Sequence, residues 1–378
     1  MYDLDQLRRR IDAHIMVRLD TLPAELGVDV SANGRDVYAR LQQFALRPGK
    51  RIRGALAMVS YDMFGGRNQR VALDLALAVE LIQNYLLIVD DVMDRSELRR
   101  GGATLHRQYR ERLRRRYPDV SAEHIGNMLA VNAGLIDHHL SMLVLSKLDA
   151  PAERVVHAQQ LFQTNIAATG FGQMDDLWNE AGQGMSQAAV RHMYMLKSSY
   201  YSFVNPLQLG AVLAGAVDGA GVQHNASQAR FALGLRAGQR PAGAALDALR
   251  QYGEQAGLAF QLQDDILGMF GNAKTTGKSA MDDLREGKRT LLIRHGLARA
   301  NEAQAAVMHA ALGNPDVTAR QHAAVKQILI DTGSRAYVTR QAKAAARRAH
   351  STLEAQDWSA EGTAFLEGML DYIIDRKA

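Results

Sequence analysis

The chain has 378 residues, about two to three times an ordinary domain, and 47% of them are hydrophobic against 22% charged. That balance supplies a large core and excludes wholesale disorder. It has no cysteine, which excludes disulfides, thiolate zinc sites and a cysteine nucleophile and fits a reducing compartment. Forty-five Lys and Arg against 40 Asp and Glu leave a net charge of +5, an excess that suits an anionic substrate at least as well as a nucleic acid.

Apolar periodicity predicts helices over 2–20, 34–46, 50–63, 68–97, 121–148, 151–181, 186–216, 225–239, 242–270, 286–299, 301–312, 317–331, 333–355 and 360–376. Six of the seven prolines (Pro23, Pro48, Pro118, Pro151, Pro241, Pro315) fall between these segments, where helices should stop or start. Pro206 is the exception and predicts a kink or a break. No strong period-two alternation, internal repeat or composition shift appears. One all-α domain over 1–378 is the simplest account. The best candidate for a membrane span, 72–89, carries Asp74, Glu80, Gln83 and Asn84, so no stable membrane insertion is expected. The N-terminus lacks the apolar core of a signal peptide. A cytoplasmic protein is the expectation.

Two stretches read as loops. Arg99-Arg100-Gly101-Gly102 is expected to end the helix 68–97, because paired glycines cap and terminate. The polar stretch Gly271–Ser279 nearly reads as a P-loop, but it has one residue too many between its glycines and follows a helix rather than a strand. The arginine-rich run 107–116 reads as a solvated insertion; nucleic acid or an anionic membrane is the other reading. The adjacent pair His138-His139 lacks the i, i+4 spacing of a metal pair and reads as helix packing or surface.

Asp90, Asp91 and Asp94 follow an apolar run, 85–89, at i, i+1 and i+4. Uncompensated buried carboxylates are costly. Mg²⁺ would compensate them, since it takes oxygen ligands, keeps water and is often shared with substrate phosphates. A solvated acidic helix end is equally open on this motif alone. Gln261, Asp264 and Asp265 form a second cluster at i, i+3 and i+4 inside another apolar helix. Two such patches without cysteine or histidine point to a polynuclear Mg²⁺ site that holds a polyphosphate. Basic residues flank them: Lys50 and Arg53 at a helix start, Arg99-Arg100, and isolated Lys197, Lys278 and Lys288. Arginine forks bind phosphate oxygens in pairs and lysine acts as a point charge.

In combination, Gly49-Lys50-Arg51-x-Arg53, Asp90-Asp91-x-x-Asp94, Arg99-Arg100-Gly101, Lys197, Gly257-Leu258-x-Phe260-Gln261-x-x-Asp264-Asp265 and the stretch Gly277-Lys278 to Lys288-Arg289-Thr290 resemble the trans-isoprenyl diphosphate synthases. The resemblance runs from about 40 to 300. It implies an all-α bundle around a central cavity, a homodimer, and head-to-tail 1′-4 condensation of an allylic diphosphate with isopentenyl diphosphate. It further implies three Mg²⁺ ions, with Asp90, Asp94 and Asp264 as ligands and Asp91 and Asp265 in support. Arg99, Lys197, Gln261 and Lys278 would help hold the allylic diphosphate, and Ser198 and Lys288 would be further substrate-binding residues. Lys50, Arg53, Gln83 and Arg100 would hold isopentenyl diphosphate. Tyr85 and Leu86, large residues before the first acidic motif, would floor the tail pocket and set a C20 product, with C15 or a longer chain as alternatives.

The chain departs from the family pattern in several places. Gln83 stands where histidine is commoner, Ser198 where threonine is usual, and Gly268 where many members carry an aspartate. The stretch 108–124 is lengthened, and Gly134-Leu135 replaces a frequent Gly-Asp pair. Other classes are a non-catalytic subunit of a heteromeric synthase, which should have lost acids from the first motif, and a class I terpene cyclase, which would carry an Asn/Ser/Glu second motif. A helical nucleic-acid binder would rest on the arginine run alone.

Overall fold

Short polar side chains start the helices. Asp3, Asn68, Ser186, Asn301 and Thr318 each accept a backbone N–H of the first turn that follows, which satisfies donors that the helix itself leaves orphaned. A computed structural model of the chain describes residues 2–27, 29–182, 184–216, 244–271 and 281–376. Its helices are α1 Leu4–Leu26, α2 Ala32–Ala45, α3 Ile52–Met63, α4 Gln69–Met93, α5 Leu105–Arg116, α6 Ala122–Ser146, α7 Ala152–Glu180, α8 Gln187–Tyr194, a π-helix Met195–Val204, α9 Asn205–Ala214, α10 Ala244–Phe270, α11 Asp282–Arg285, α12 Leu291–Leu297, α13 Glu302–Ala311, α14 Ala319–Asp331, α15 Ser334–Glu354 and α16 Ala360–Asp375. Among the described residues the only strands are β1 Leu98–Arg99 and β2 Gly102–Ala103, an antiparallel pair. The all-α expectation holds. The expected helix 225–239 lies outside the described residues.

The chain forms two compact units, one from residues 1–159 and 209–216, the other from 160–208 and the described residues beyond 243. In the first, α4 packs against α1, α2, α3, α5 and α6. It is buried nearly all round from Val71 to Asn84, as a helix apolar on every face must be. In the second, α10 takes the central place and packs against α8, the π-helix, α11, α12, α15 and α16.

Five expectations change. Pro23 lies inside α1. It has no N–H to give, so the carbonyl of Leu19 is released from the helix ladder; Tyr38 Oη (2.5 Å) and Gln42 Nε2 (3.2 Å) donate to it instead. The helix expected to run to 97 stops at Met93, with Arg95 at φ 53°. Arg99-Arg100-Gly101-Gly102 is therefore no helix cap but the β1–β2 hairpin, whose turn residues Arg100 and Gly101 both have positive φ (50° and 75°), the requirement of a two-residue hairpin turn. The arginine run is helical: Leu105 and Tyr109 of α5 are buried one turn apart, and Arg107, Arg110 and Arg112 pair with Glu111, Glu97 and Asp36. Finally, α4 and α6 do reach the length and hydropathy of a spanning segment, and 78% of the α4 window is buried inside the protein. The break expected at Pro206 is present as the π-helix that ends two residues before it.

Candidate active site

Asp90 and Asp91 occupy the last turn of α4 and Asp94 is its C-cap. The negative end of a helix dipole raises the cost of anions there. Arg99, from β1, answers it: its Nε donates to Asp91 Oδ1 (2.7 Å) and its Nη2 to Asp90 Oδ2 (3.2 Å). Burial works against the Arg99 charge, but Asp91 and Asp90 outweigh it and hold its pKa above the ordinary arginine value. Arg47 fixes the hairpin that carries Arg99, donating to Arg99 O (3.0 Å) and Ala103 O (2.8 Å).

Gln83, two turns before Asp90, shares its helix face. With the amide oxygen turned toward the guanidiniums, Gln83 accepts from Arg53 Nη1 (2.7 Å) and Arg100 Nη2 (3.3 Å). Burial, reinforced by Arg51, Arg53 and Arg99, lowers Arg100 to a pKa of about 10, the mark of a concentrated positive locus. Buried Arg51 is structural: it pairs with Glu80 (3.1 Å) and Asp12 (2.7 Å) and donates to Ala45 O. Glu80 in turn accepts from Gly54 N (3.1 Å). Lys50 stands exposed just ahead of α3.

In the second unit the π-helix carries Lys197 and Ser198. It is squeezed between α7 and α10: a Cβ on Gly172 would sit 2.3 Å from Lys197 N, and one on Gly257 2.4 Å from Ser199 Oγ. Only glycine fits either crossing. Lys197 Nζ donates to Asp176 Oδ2 of α7 (2.5 Å). Ser198 Oγ donates to Gln261 Oε1 (2.6 Å), and Gln261 Nε2 donates to Asp265 Oδ1 (2.9 Å). The Tyr194 hydroxyl donates to Asp265 Oδ2 while accepting from Leu291 N (3.0 Å). Burial pushes Asp265 up to about 8, against the pull of those two hydrogen bonds. Asp264 is more open and pairs with Arg376 at the end of α16 (2.8 Å). The Arg376 guanidinium also stacks 4.2 Å from the Phe260 ring centre.

Sequence reasoning missed Arg47, Asp176, Tyr194 and Arg376. Only Asp176 carried a signal, one turn before the end of a helix with Asp175 beside it; the rest are isolated in sequence. Lys278 lies outside the described residues. Lys288 pairs with Glu286 (2.7 Å). Leu86 is one turn from Asp90 on its face, whereas the Tyr85 ring turns to α6, edge-on to His138 at 5.4 Å. His138 is a packing residue, as its spacing suggested.

The family model for polyprenyl synthetases matches residues 35–329. The chain belongs to that family. The geranylgeranyl diphosphate synthase of Sulfolobus acidocaldarius is 28% identical to it over 70% of the chain and 68% of the relative. The geranylfarnesyl diphosphate synthase of Aeropyrum pernix is 27% identical over 87% and 90%. Among solved structures, a geranylgeranyl pyrophosphate synthase from Corynebacterium glutamicum, complexed with isoprenyl diphosphate and magnesium, superposes over the whole of both chains with a TM-score of 0.87 and 28% identity. The matched region contains Lys50, Arg53, both acidic motifs and Lys197.

Proposed function

We propose that this polyprenyl synthetase condenses isopentenyl diphosphate with an allylic diphosphate and that its product is geranylgeranyl diphosphate. The observation that carries the reading is the pair of acidic motifs on α4 and α10, each with an arginine paired to one or more of its acids and each attended by cationic or amide side chains. Among the described residues no three His, Asp or Glu side chains converge on a point. Mg²⁺ needs no such cage, because it binds through one or two carboxylates and completes its shell with water and substrate phosphate. The all-carboxylate donor set fits a hard cation, and the arginines on Asp90, Asp91 and Asp264 mark surplus negative charge at both places.

Asp90, Asp94 and Asp264 are the proposed ligands, with three ions in all. Bound Mg²⁺ would neutralise the diphosphate as it departs. Lys197, with Asp176 orienting its ammonium, and Arg99 hold the allylic diphosphate, together with Lys278 and Lys288. Gln261 and Ser198 keep the Asp265 carboxylate in place. Lys50, Arg53 and Arg100, bridged by Gln83, hold isopentenyl diphosphate. The allylic C1–O bond breaks with its electron pair on the leaving diphosphate, C4 of isopentenyl diphosphate bonds to C1, and a C2 proton passes to that diphosphate. No protein nucleophile takes part.

A second copy of the chain is the proposed partner. Met128, Val131 and Leu135 on α6, and Phe171, Met174 and Trp178 on α7, are exposed at i, i+3, i+7 spacing. Such stripes are what a helical homodimer covers. A cytoplasmic setting completes the proposal. Incubation with labelled isopentenyl diphosphate and each allylic starter, with Mg²⁺ and with chelator, tests the reading. A C20 product only in the presence of Mg²⁺ supports it; no condensation with any starter refutes it.

A further inference from the structure

Two helices are dense in basic residues, and their charges are answered differently. On α5, Arg107, Arg110 and Arg112 are each paired with an acid, and Glu111, Asp119 and Glu123 stand in or beside the run. On α15 no such answer exists. Residues 332–353 contain Arg335, Arg340, Lys343, Arg347 and Arg348 and not one Asp or Glu. The helix buries Val338, Ala342, Ala345, Ala349 and Leu353, so its opposite face, with Arg340, Lys343 and Arg347 at i, i+3 and i+7, is exposed. Arg335 and Arg348 are otherwise engaged: the first lies 4.7 Å from the Phe270 ring centre, and the second donates to Gln255 Oε1 (2.8 Å). Among the described residues no ion pair or hydrogen bond engages Arg340, Lys343 or Arg347. Their field reaches inward. His295, stacked on Tyr337 of α15 with 4.2 Å between ring centres, is held below the ordinary imidazole value, first by burial and then by Arg299 and Arg340.

An unanswered row of one sign calls for an anionic partner. The row spans about 10 Å by helical rise, and no large hydrophobic side chain among the described residues of α15 is exposed. A single-stranded nucleic acid needs aromatic platforms. A duplex binder contacts roughly 6–10 phosphates, more than this short row supplies. A protein partner draws its energy from buried aromatic anchors. A sheet of anionic headgroups asks for charge alone and meets a helix face lying flat. We propose that the face of α15 carrying Arg340, Lys343 and Arg347 docks the protein reversibly on an anionic lipid surface, without insertion. The contact uses no residue of the acidic motifs.

The test sediments the full chain with vesicles of phosphatidylcholine, alone or mixed with phosphatidylglycerol. Each cation near an anionic leaflet contributes a factor of roughly five, so Arg340→Gln, Lys343→Gln and Arg347→Gln combined should lower partition to the mixed vesicles roughly a hundredfold. Lys343→Glu alone reverses the middle charge and should lower it roughly twentyfold. Circular dichroism checks that each variant is folded. Wild type should leave the mixed vesicles as salt rises, because the attraction is screened. Arg114→Gln, Arg115→Gln and Arg116→Gln combined remove as much charge from α5 and should leave partition within a few-fold of wild type. A wild-type chain that does not sediment with the mixed vesicles overturns the proposal. So does an α5 variant that loses as much as the α15 variant, because net charge and not this face would then be responsible. Displacement of the chain from the vesicles by a duplex oligonucleotide at equal phosphate concentration overturns the lipid assignment in favour of nucleic acid.

Discussion

At the end of α4, Asp90 and Asp91 share one guanidinium, that of Arg99. Toward the end of α10, the side-chain donors to Asp265 among the described residues are a phenol and an amide, and the guanidinium of Arg376 goes to the more exposed Asp264. Both regions place adjacent aspartates on a buried central helix, in the last turn of α4 and more than one turn before the end of α10, and both must offset the cost of burying them. The first does so with the full charge of a guanidinium. The second does so at Asp265 with neutral donors, which burial overrides, so that the acid holds a proton up to about pH 8. Identical dipeptides thus acquire different electrostatics from the residues that happen to face them.

The sharpest way to break this comparison is to remove one ligand from each region. If the motifs are equal partners at one diphosphate, Asp90→Ala and Asp264→Ala should each lower kcat by roughly a thousandfold, since leaving-group stabilisation acts on the transition state. Steady-state kinetics with saturating isopentenyl diphosphate measures it. Wild-type turnover in either variant would remove that motif from the chemistry.

The counter-ions should separate the regions in stability. Arg99→Ala takes the guanidinium away from Asp91, of which 1% is exposed, and should cost about 3 kcal/mol in denaturant unfolding. Arg376→Ala leaves Asp264, whose side chain is 39% exposed, to water and should cost under about 1 kcal/mol. Equal losses would mean that Arg376 is as structural as Arg99. The basic residues should separate the substrates instead. Arg53→Ala should raise KM for isopentenyl diphosphate about tenfold or more, as a charge-assisted hydrogen bond of roughly 1.5–3 kcal/mol implies. Lys197→Ala should fall on the allylic partner. Equal effects on both substrates from either variant would refute the division.

A titration sharpens the contrast further. The Asp265 pKa is raised from 3.8 to about 8 on folding, so its contribution to stability is full below pH 4 and is lost as pH rises through 8. Without metal, Asp265→Asn should therefore gain stability relative to wild type across that window. Parallel curves would show that Asp265 is already ionised in the folded chain.

Much of this was legible in the sequence because it is local. The two acid clusters, Lys50 with Arg53, and the π-helix break near Pro206 are short-range patterns, and the family match spans them. What could not be read depends on distant residues. Arg47 and Arg376 act on carbonyls and carboxylates more than fifty residues away in the chain. Helix α5 carried a readable signal, Leu105 and Tyr109 one turn apart, that the density of arginine masked. The hairpin at Arg100-Gly101 was misassigned because paired glycines mark a helix cap and a tight turn equally well.

The smallest expected effect changes the product rather than the rate, and it concerns the first region alone. Tyr85 lies roughly 7–8 Å along α4 from Asp90 by helical rise, but its ring leans on His138 of α6, away from the Asp90 face. Leu86 is on that face. If the prenyl tail runs down between α4 and α6, Tyr85→Ala removes the ring that closes the path and should lengthen the product by at least one C5 unit, with turnover retained. If the tail instead follows the acid face, Leu86→Ala should lengthen the product and Tyr85→Ala should not. Chromatography of the two product distributions decides between the faces. A chain that makes the C20 product in both variants would place the floor on another helix, and neither residue would then set the length.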